Sequence, residues 1–148
     1  MLTDYEGAEK LNKVERMILE ERVNGFSICT YDEKELSKEF DEIIVRLSAI
    51  SGCQLPNTEL FAHLLSEELK KFILRFNYSE YTLNEFMLAF QLNAYGGLKF
   101  PNGEEMEQIK FTGAFLNIDY IAKVLNNYKT VRNLLDRKLQ NQIDGYEF

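Results

Sequence analysis

Side chains able to make or break bonds are few in this sequence. Its single histidine, His63, and its two cysteines, Cys29 and Cys53, are the obvious candidates for nucleophilic chemistry. A thiol–imidazole pair needs the ring to take the thiol proton and a third group to orient the ring. Nothing in the spacing brings either thiol to His63, which lies beside Phe61, Leu64 and Leu65 in a helical pattern. A surface or half-buried helix histidine is expected. The same three residues lack the paired Cys-x-x-Cys spacing and the fourth soft ligand of a zinc site. Carboxylates such as Glu39 and Glu42, or Glu104, Glu105 and Glu107, lack the alternating Asp/Asn and glycine of a calcium loop. Gly96-Gly97 has neither the Gly-Lys-Ser/Thr sequence nor the preceding strand of a phosphate-binding loop. The expectation is a protein that is not an enzyme and carries no cofactor or metal.

Basic residues form a second constellation. Lys123, Lys129, Arg132, Arg137 and Lys138 are opposed only by Asp136 between positions 122 and 140. Lys129 and Arg132 are three apart, hence neighbours on one helix face, and Tyr128 stands beside them. Such a set could neutralise a few nucleic-acid phosphates without reading sequence. Lysines and arginines late in a helix also simply complement its dipole.

The chain of 148 residues, 45% hydrophobic and 28% charged with two prolines, fits one globular domain spanning residues 1–148. No apolar run reaches the roughly 18–20 residues of a membrane helix. The first residues lack a signal peptide's basic start and apolar middle, and two cysteines fit a reducing compartment, so a cytoplasmic protein is expected. The net charge of −7 argues against an overall electrostatic grip on nucleic acid. That charge is uneven, however: residues 1–45 hold twelve acids against six bases, and residues 122–148 five bases against three acids.

Apolar periodicity predicts an all-α bundle of about five helices. The first runs from about Tyr5 to Arg22 on Leu11, Val14, Ile18 and Leu19, ending before the turn signal Asn24-Gly25. Residues 26–31 alternate apolar and polar like a short extended segment. Asp32 and Glu35 have capping-box spacing at the start of a second helix, whose stripe runs from Leu36 to Ile50 and stops at Gly52. Pro56 and Asn57 or Thr58 open a third, with Phe61, Leu65, Leu69, Phe72, Ile73 and Phe76 inward and Glu67, Glu68, Lys70 and Lys71 on a solvated face. Thr82 and Glu85 cap a fourth that reaches Tyr95. A turn-rich loop follows, with one or two helical turns expected at Glu104–Glu107. The last helix begins near Asn117 on Ile118, Ile121, Val124, Leu125, Tyr128, Val131, Leu135 and Leu139. The many phenylalanines read as core rather than as a stacking platform.

Three stretches carry a resemblance: Pro56 through Phe76, Tyr81 through Ala94, and Phe115 through Lys129. Together, over residues 55–132, they resemble small helical proteins from phages and mobile elements of Bacteroidetes-type bacteria. Members of that group accompany replication and recombination genes, which implies an accessory role such as loading or regulating a replicative helicase. The resemblance directs attention to Asn93, Asn117, Asp119, Asn126 and Tyr128 as partner-binding positions. Read structurally, Asn117 is a helix cap and Tyr128 an edge-of-core tyrosine with its hydroxyl at the surface.

The expected function is thus a helical adaptor binding a replication or recombination protein, with DNA contact as a secondary feature and no membrane contact. The alternative is an acidic inhibitor of a host nuclease or defence protein, its carboxylates standing in for phosphates. Oligomeric state is not encoded in any pattern found.

Overall fold

Asn12 starts the first helix, α1 (Lys13–Asn24), through a reciprocal capping box: its side chain accepts from Glu15 N–H, and its own N–H donates to the Glu15 carboxylate. In this computed structural model, residues 11–55, 58–96, 98, 104–111, 113 and 115–146 are described, with side chains as far as 141. The expected start near Tyr5 lies outside them. The helix ends where Asn24-Gly25 predicts a turn, and a Cβ at Gly25 would stand 2.7 Å from the Cβ of Thr82. Only glycine lets the two backbones approach so closely.

Residues 26–31 do not form a strand. Phe26 points out and Ile28 in, as alternation requires, but the ladder is a single bridge from Ser27 to Thr82, followed by a 3-10 turn over Ile28–Thr30. Backbone N–H groups of Ile28 and Cys29 donate to Tyr81 and Ser79 carbonyls, both at 2.9 Å. With one short partner segment available, the backbone groups are satisfied without a sheet.

Four longer helices complete the chain: α2 (Glu33–Ser51), α3 (Glu59–Arg75), α4 (Leu83–Tyr95) and α5 (Ile118–Tyr146). Their starts follow from side-chain caps. Asp32, Thr58 and Thr82 accept from the N–H three residues on, and Asn117 accepts from Tyr120 N–H at 2.9 Å. Gly52 stops α2 at φ 72°, a conformation that costs a side-chain-bearing residue about 1 kcal/mol. Among the described residues no helix is long and apolar enough to cross a membrane.

Packing is centred on α4, which touches α1, α2 and α5, while α2 lies against α3. Phe86, Leu88, Ala89, Phe90 and Leu92 are all buried, so α4 is apolar on nearly every side. One continuous core draws on all five helices, from Ile18 in α1 through Phe40, Leu69 and Phe90 to Leu125 and Leu135. Rings bridge its parts: Tyr78 meets Tyr81, Tyr81 meets Tyr128, and Phe90 meets Tyr120, each edge-on at 5.0–6.0 Å between centroids. Each such pair adds about 0.5–1.5 kcal/mol beyond area burial.

Two sequence readings of local structure change. Glu104–Glu107 is not helical: residues 104–111 run as an irregular strap over the end of α4, with Met106, Ile109 and Phe111 half-buried on the core. In α3 the buried line is Ser66, Leu69, Lys70 and Ile73, with Leu65 and Phe72 half-buried. Phe61 and Phe76 instead face out, at 58% and 52% exposure. Lys70, expected on the solvated face, is buried and donates to Ser37 Oγ at 2.8 Å and to Glu67 at 3.0 Å. Antiparallel packing on α2 selects the face that α3 turns inward, and Ser37 and Glu67 satisfy the lysine there.

Candidate interaction surface

The basic set on α5 is largely committed within the chain. Spacing already places Arg132 in line with Val124, Leu125, Tyr128, Val131 and Leu135, all of which are buried. Arg132 is itself buried. Its Nε donates to Glu85 Oε2 at 2.8 Å and its Nη2 to Oε1 at 3.3 Å, and the guanidinium lies 4.0 Å from the Tyr81 ring centroid. The expected phosphate contact by Arg132 is therefore corrected, since Glu85 occupies the guanidinium and burial hides it. Lys123 pairs with Asp119 at 3.0 Å, and Lys138 with buried Glu15 at 3.1 Å. Lys129 sits over the Tyr78 ring and donates to the Phe76 carbonyl at 3.4 Å. Arg137 is exposed.

The positions singled out for partner binding also serve the fold. Tyr128 is fully buried, and its hydroxyl donates to Glu85 Oε2 at 2.7 Å, so it is no surface tyrosine. Asn93 is buried and pairs its amide with the backbone of Ile109, donating to the carbonyl at 3.0 Å and accepting from the N–H at 2.9 Å. That pairing holds the strap. Asn126 accepts from the Tyr78 hydroxyl at 2.9 Å, Asn117 caps α5, and Asp119 is exposed beside Lys123. Asn93 and Tyr128 are enclosed, which takes them out of direct reach of a partner, whereas Asn117, Asp119 and Asn126 are exposed.

Glu85 was legible only as a cap. Besides returning Oε1 to Thr82 N–H at 3.1 Å, it is the one charged residue on α4 and is fully buried, and it receives Tyr128 and Arg132. A single carboxylate on a mostly apolar helix is the signal the sequence carries, because a buried charge must be paired. Around this knot, Arg22 and Asp136 bond at 2.6 Å and tie α1 to α5.

The contacts of His63 are with carboxylates, and of the two thiols Cys29 is exposed and Cys53 buried. His63 Nδ1 stands 3.3 Å from Asp41 Oδ1 and Nε2 stands 4.0 Å from Glu67, on an exposed flank of α3. Burial pushes the Cys53 thiol up, which keeps it protonated and a poor nucleophile. Among the described residues no cluster of three His, Cys, Asp or Glu could hold a metal ion.

Large apolar side chains are exposed at several places, among them Val23, Phe26 and Tyr95, and three of them lie together on the outer face of α3. Leu60, Phe61 and Leu64 are 65%, 58% and 48% exposed, and their spacing sets them side by side on the first turns of the helix. Asp41 reaches this face through His63, while Glu59, Glu67 and Glu68 lie within a turn of the apolar triplet. The apolar stripe expected for α3 places Phe61 inward, whereas Phe61 lies outward. The pairs Leu60-Phe61 and Leu64-Leu65 make the apolar arc of α3 too wide for one neighbouring helix to cover. Comparison with known proteins finds no family model that matches the chain, no curated protein that matches it and no solved structure that matches it.

Proposed function

We propose that this protein is a non-enzymatic helical adaptor that binds another protein through the outer face of α3. The observation that carries the reading is the exposed triplet Leu60, Phe61 and Leu64, three large apolar side chains clustered in water. Grouped exposure of this kind marks interaction sites, whereas scattered apolar residues are ordinary surface. The distribution of acids supports the same choice over a nucleic-acid mimic. Exposed Glu33, Glu35, Asp41 and Glu42 on α2 alternate with exposed Lys34, Lys38 and Arg46, so α2 does not offer an unbroken row of phosphate-like charges. The resemblance over residues 55–132 supplies the partner class, a replication or recombination protein of a phage or mobile element. Weak DNA contact would fall to Lys123, Lys129 and Arg137 at the edge of α5.

Affinity capture with the tagged chain from its native cells, beside Phe61→Asp/Leu64→Asp, tests this. The expected result is a helicase, primase or recombination factor retained by the wild type and lost by the variant. A nuclease or defence protein retained instead supports the inhibitor. Equal retention by both proteins, or none by either, overturns the α3 reading.

A further inference from the structure

We infer that the occupant of the α3 face is an amphipathic helix whose apolar stripe is flanked by lysines and arginines. This rests on the adaptor reading and names the partner's chemistry. Leu60, Phe61 and Leu64 present a short ridge, which packs into the groove between apolar side chains three and four residues apart on a second helix. Charge around the ridge selects among helices. Asp41, Glu59, Glu67 and Glu68 border it, against Lys70, Lys71 and His63, whose ring stands 3.3 Å from Asp41 and 4.0 Å from Glu67. Lys70 is buried beneath and already holds Glu67 at 3.0 Å, and Lys71 stands 3.5 Å from Glu68. The rim is therefore net negative at the apolar end of the helix.

Complementary charge at a rim steers encounter and rejects wrong partners. A second copy of this chain would bring the same carboxylates against one another across a two-fold axis, so self-pairing is disfavoured. Nucleic acid and anionic lipid meet the same repulsion. A helix with basic flanks places one cation on Glu59 and others beside Glu68 and Asp41, which Lys71 and His63 contact from one side, while its leucines cover Phe61.

Two synthetic 18-residue helical peptides test the inference. Both carry leucines at helical spacing; one has lysines flanking the stripe, the other glutamates. Each is titrated into the full chain, with methyl and ring NMR shifts of Leu60, Leu64 and Phe61 reporting the site. The lysine peptide is expected to shift those three residues and to bind about tenfold tighter than the glutamate peptide at low salt, with the difference shrinking as salt screens the rim. Glu59→Lys/Glu68→Lys should reverse the preference, and Phe61→Ser/Leu64→Ser should abolish both interactions while leaving the circular dichroism unchanged. Equal binding of both peptides at α3 overturns the charge inference but keeps α3 as a docking face. Binding of the lysine peptide away from α3, or concentration-dependent dimerisation through Phe61 seen in sedimentation, overturns the inference and names another site or the second copy. No binding by either peptide and a monomer at all concentrations overturns it together with the α3 reading.

Discussion

Arg132 and Glu85, 47 residues apart in the chain, form a buried two-contact ion pair that joins α5 to the N-terminus of α4. The carboxylate spends its remaining capacity on the Tyr128 hydroxyl and the Thr82 N–H. Every polar atom of Glu85 thus has a partner, as burial demands.

Removing one member of this knot should cost more than removing both. Glu85→Leu leaves the Arg132 charge buried without its counterion and is expected to destabilise the fold by about 3–5 kcal/mol. Glu85→Leu/Arg132→Met eliminates the stranded charge, so it should lose less than the single variant. Urea unfolding of the wild type, both single variants and the double variant measures this. Strictly additive losses would show that the pair is not coupled.

Alkaline pH should unfold the chain through its buried phenols. Burial pushes Tyr78 up to about 12 and raises Tyr81 and Tyr128 still further above the usual value of 10.0, with Glu85 adding to the rise at both. The folded state holds protons that the unfolded chain releases near pH 10. The stability these three residues contribute is therefore complete below pH 10 and is lost as pH rises past 10 toward 12 and beyond. Absorbance of tyrosinate at 295 nm and far-ultraviolet circular dichroism should change together for these residues. Early ionisation of all tyrosines with the helical signal intact would contradict it.

The strap should loosen when Asn93 is truncated. Asn93→Ala removes both amide bonds to Ile109 and is expected to cost about 1–2 kcal/mol. Gln108 still reaches the Ala94 carbonyl at 3.2 Å and Asn127 the Glu107 carbonyl at 3.1 Å, so the loss should be local. Hydrogen exchange at the Ile109 amide should quicken and proteolysis should begin between residues 104 and 111, with α4 and α5 still protected. Uniform exchange across the molecule would mean that Asn93 supports the whole core instead.

How far the fold was legible depends on the range of the interactions. Capping residues Asp32, Thr58, Thr82 and Asn117 mark real helix starts, Gly52 and Gly96 mark real stops, and the apolar stripes of α2, α4 and α5 are the buried faces. Each of these signals acts within a few residues, so sequence carries it. The candidate site was less legible. Arg132 looked like surface charge because its counterion lies in another helix, and α3 was turned the wrong way because two apolar arcs compete on it.

The sequence by itself determined an all-α chain, about five helices and where the last four begin, through caps, turn residues and 3.6-residue periodicity, while the Asn12 cap that starts α1 at Lys13 was not read from it. Only the tertiary structure decided which charges are buried. Glu85, Glu15, Lys70 and Arg132 are enclosed by helices that reach them from 33 to 123 positions away. It also decided which apolar residues stay in water, because α2 covers one side of α3 and nothing among the described residues covers Leu60, Phe61 and Leu64. Local propensity acts along the chain and needs no partner, whereas burial is a property of two surfaces meeting.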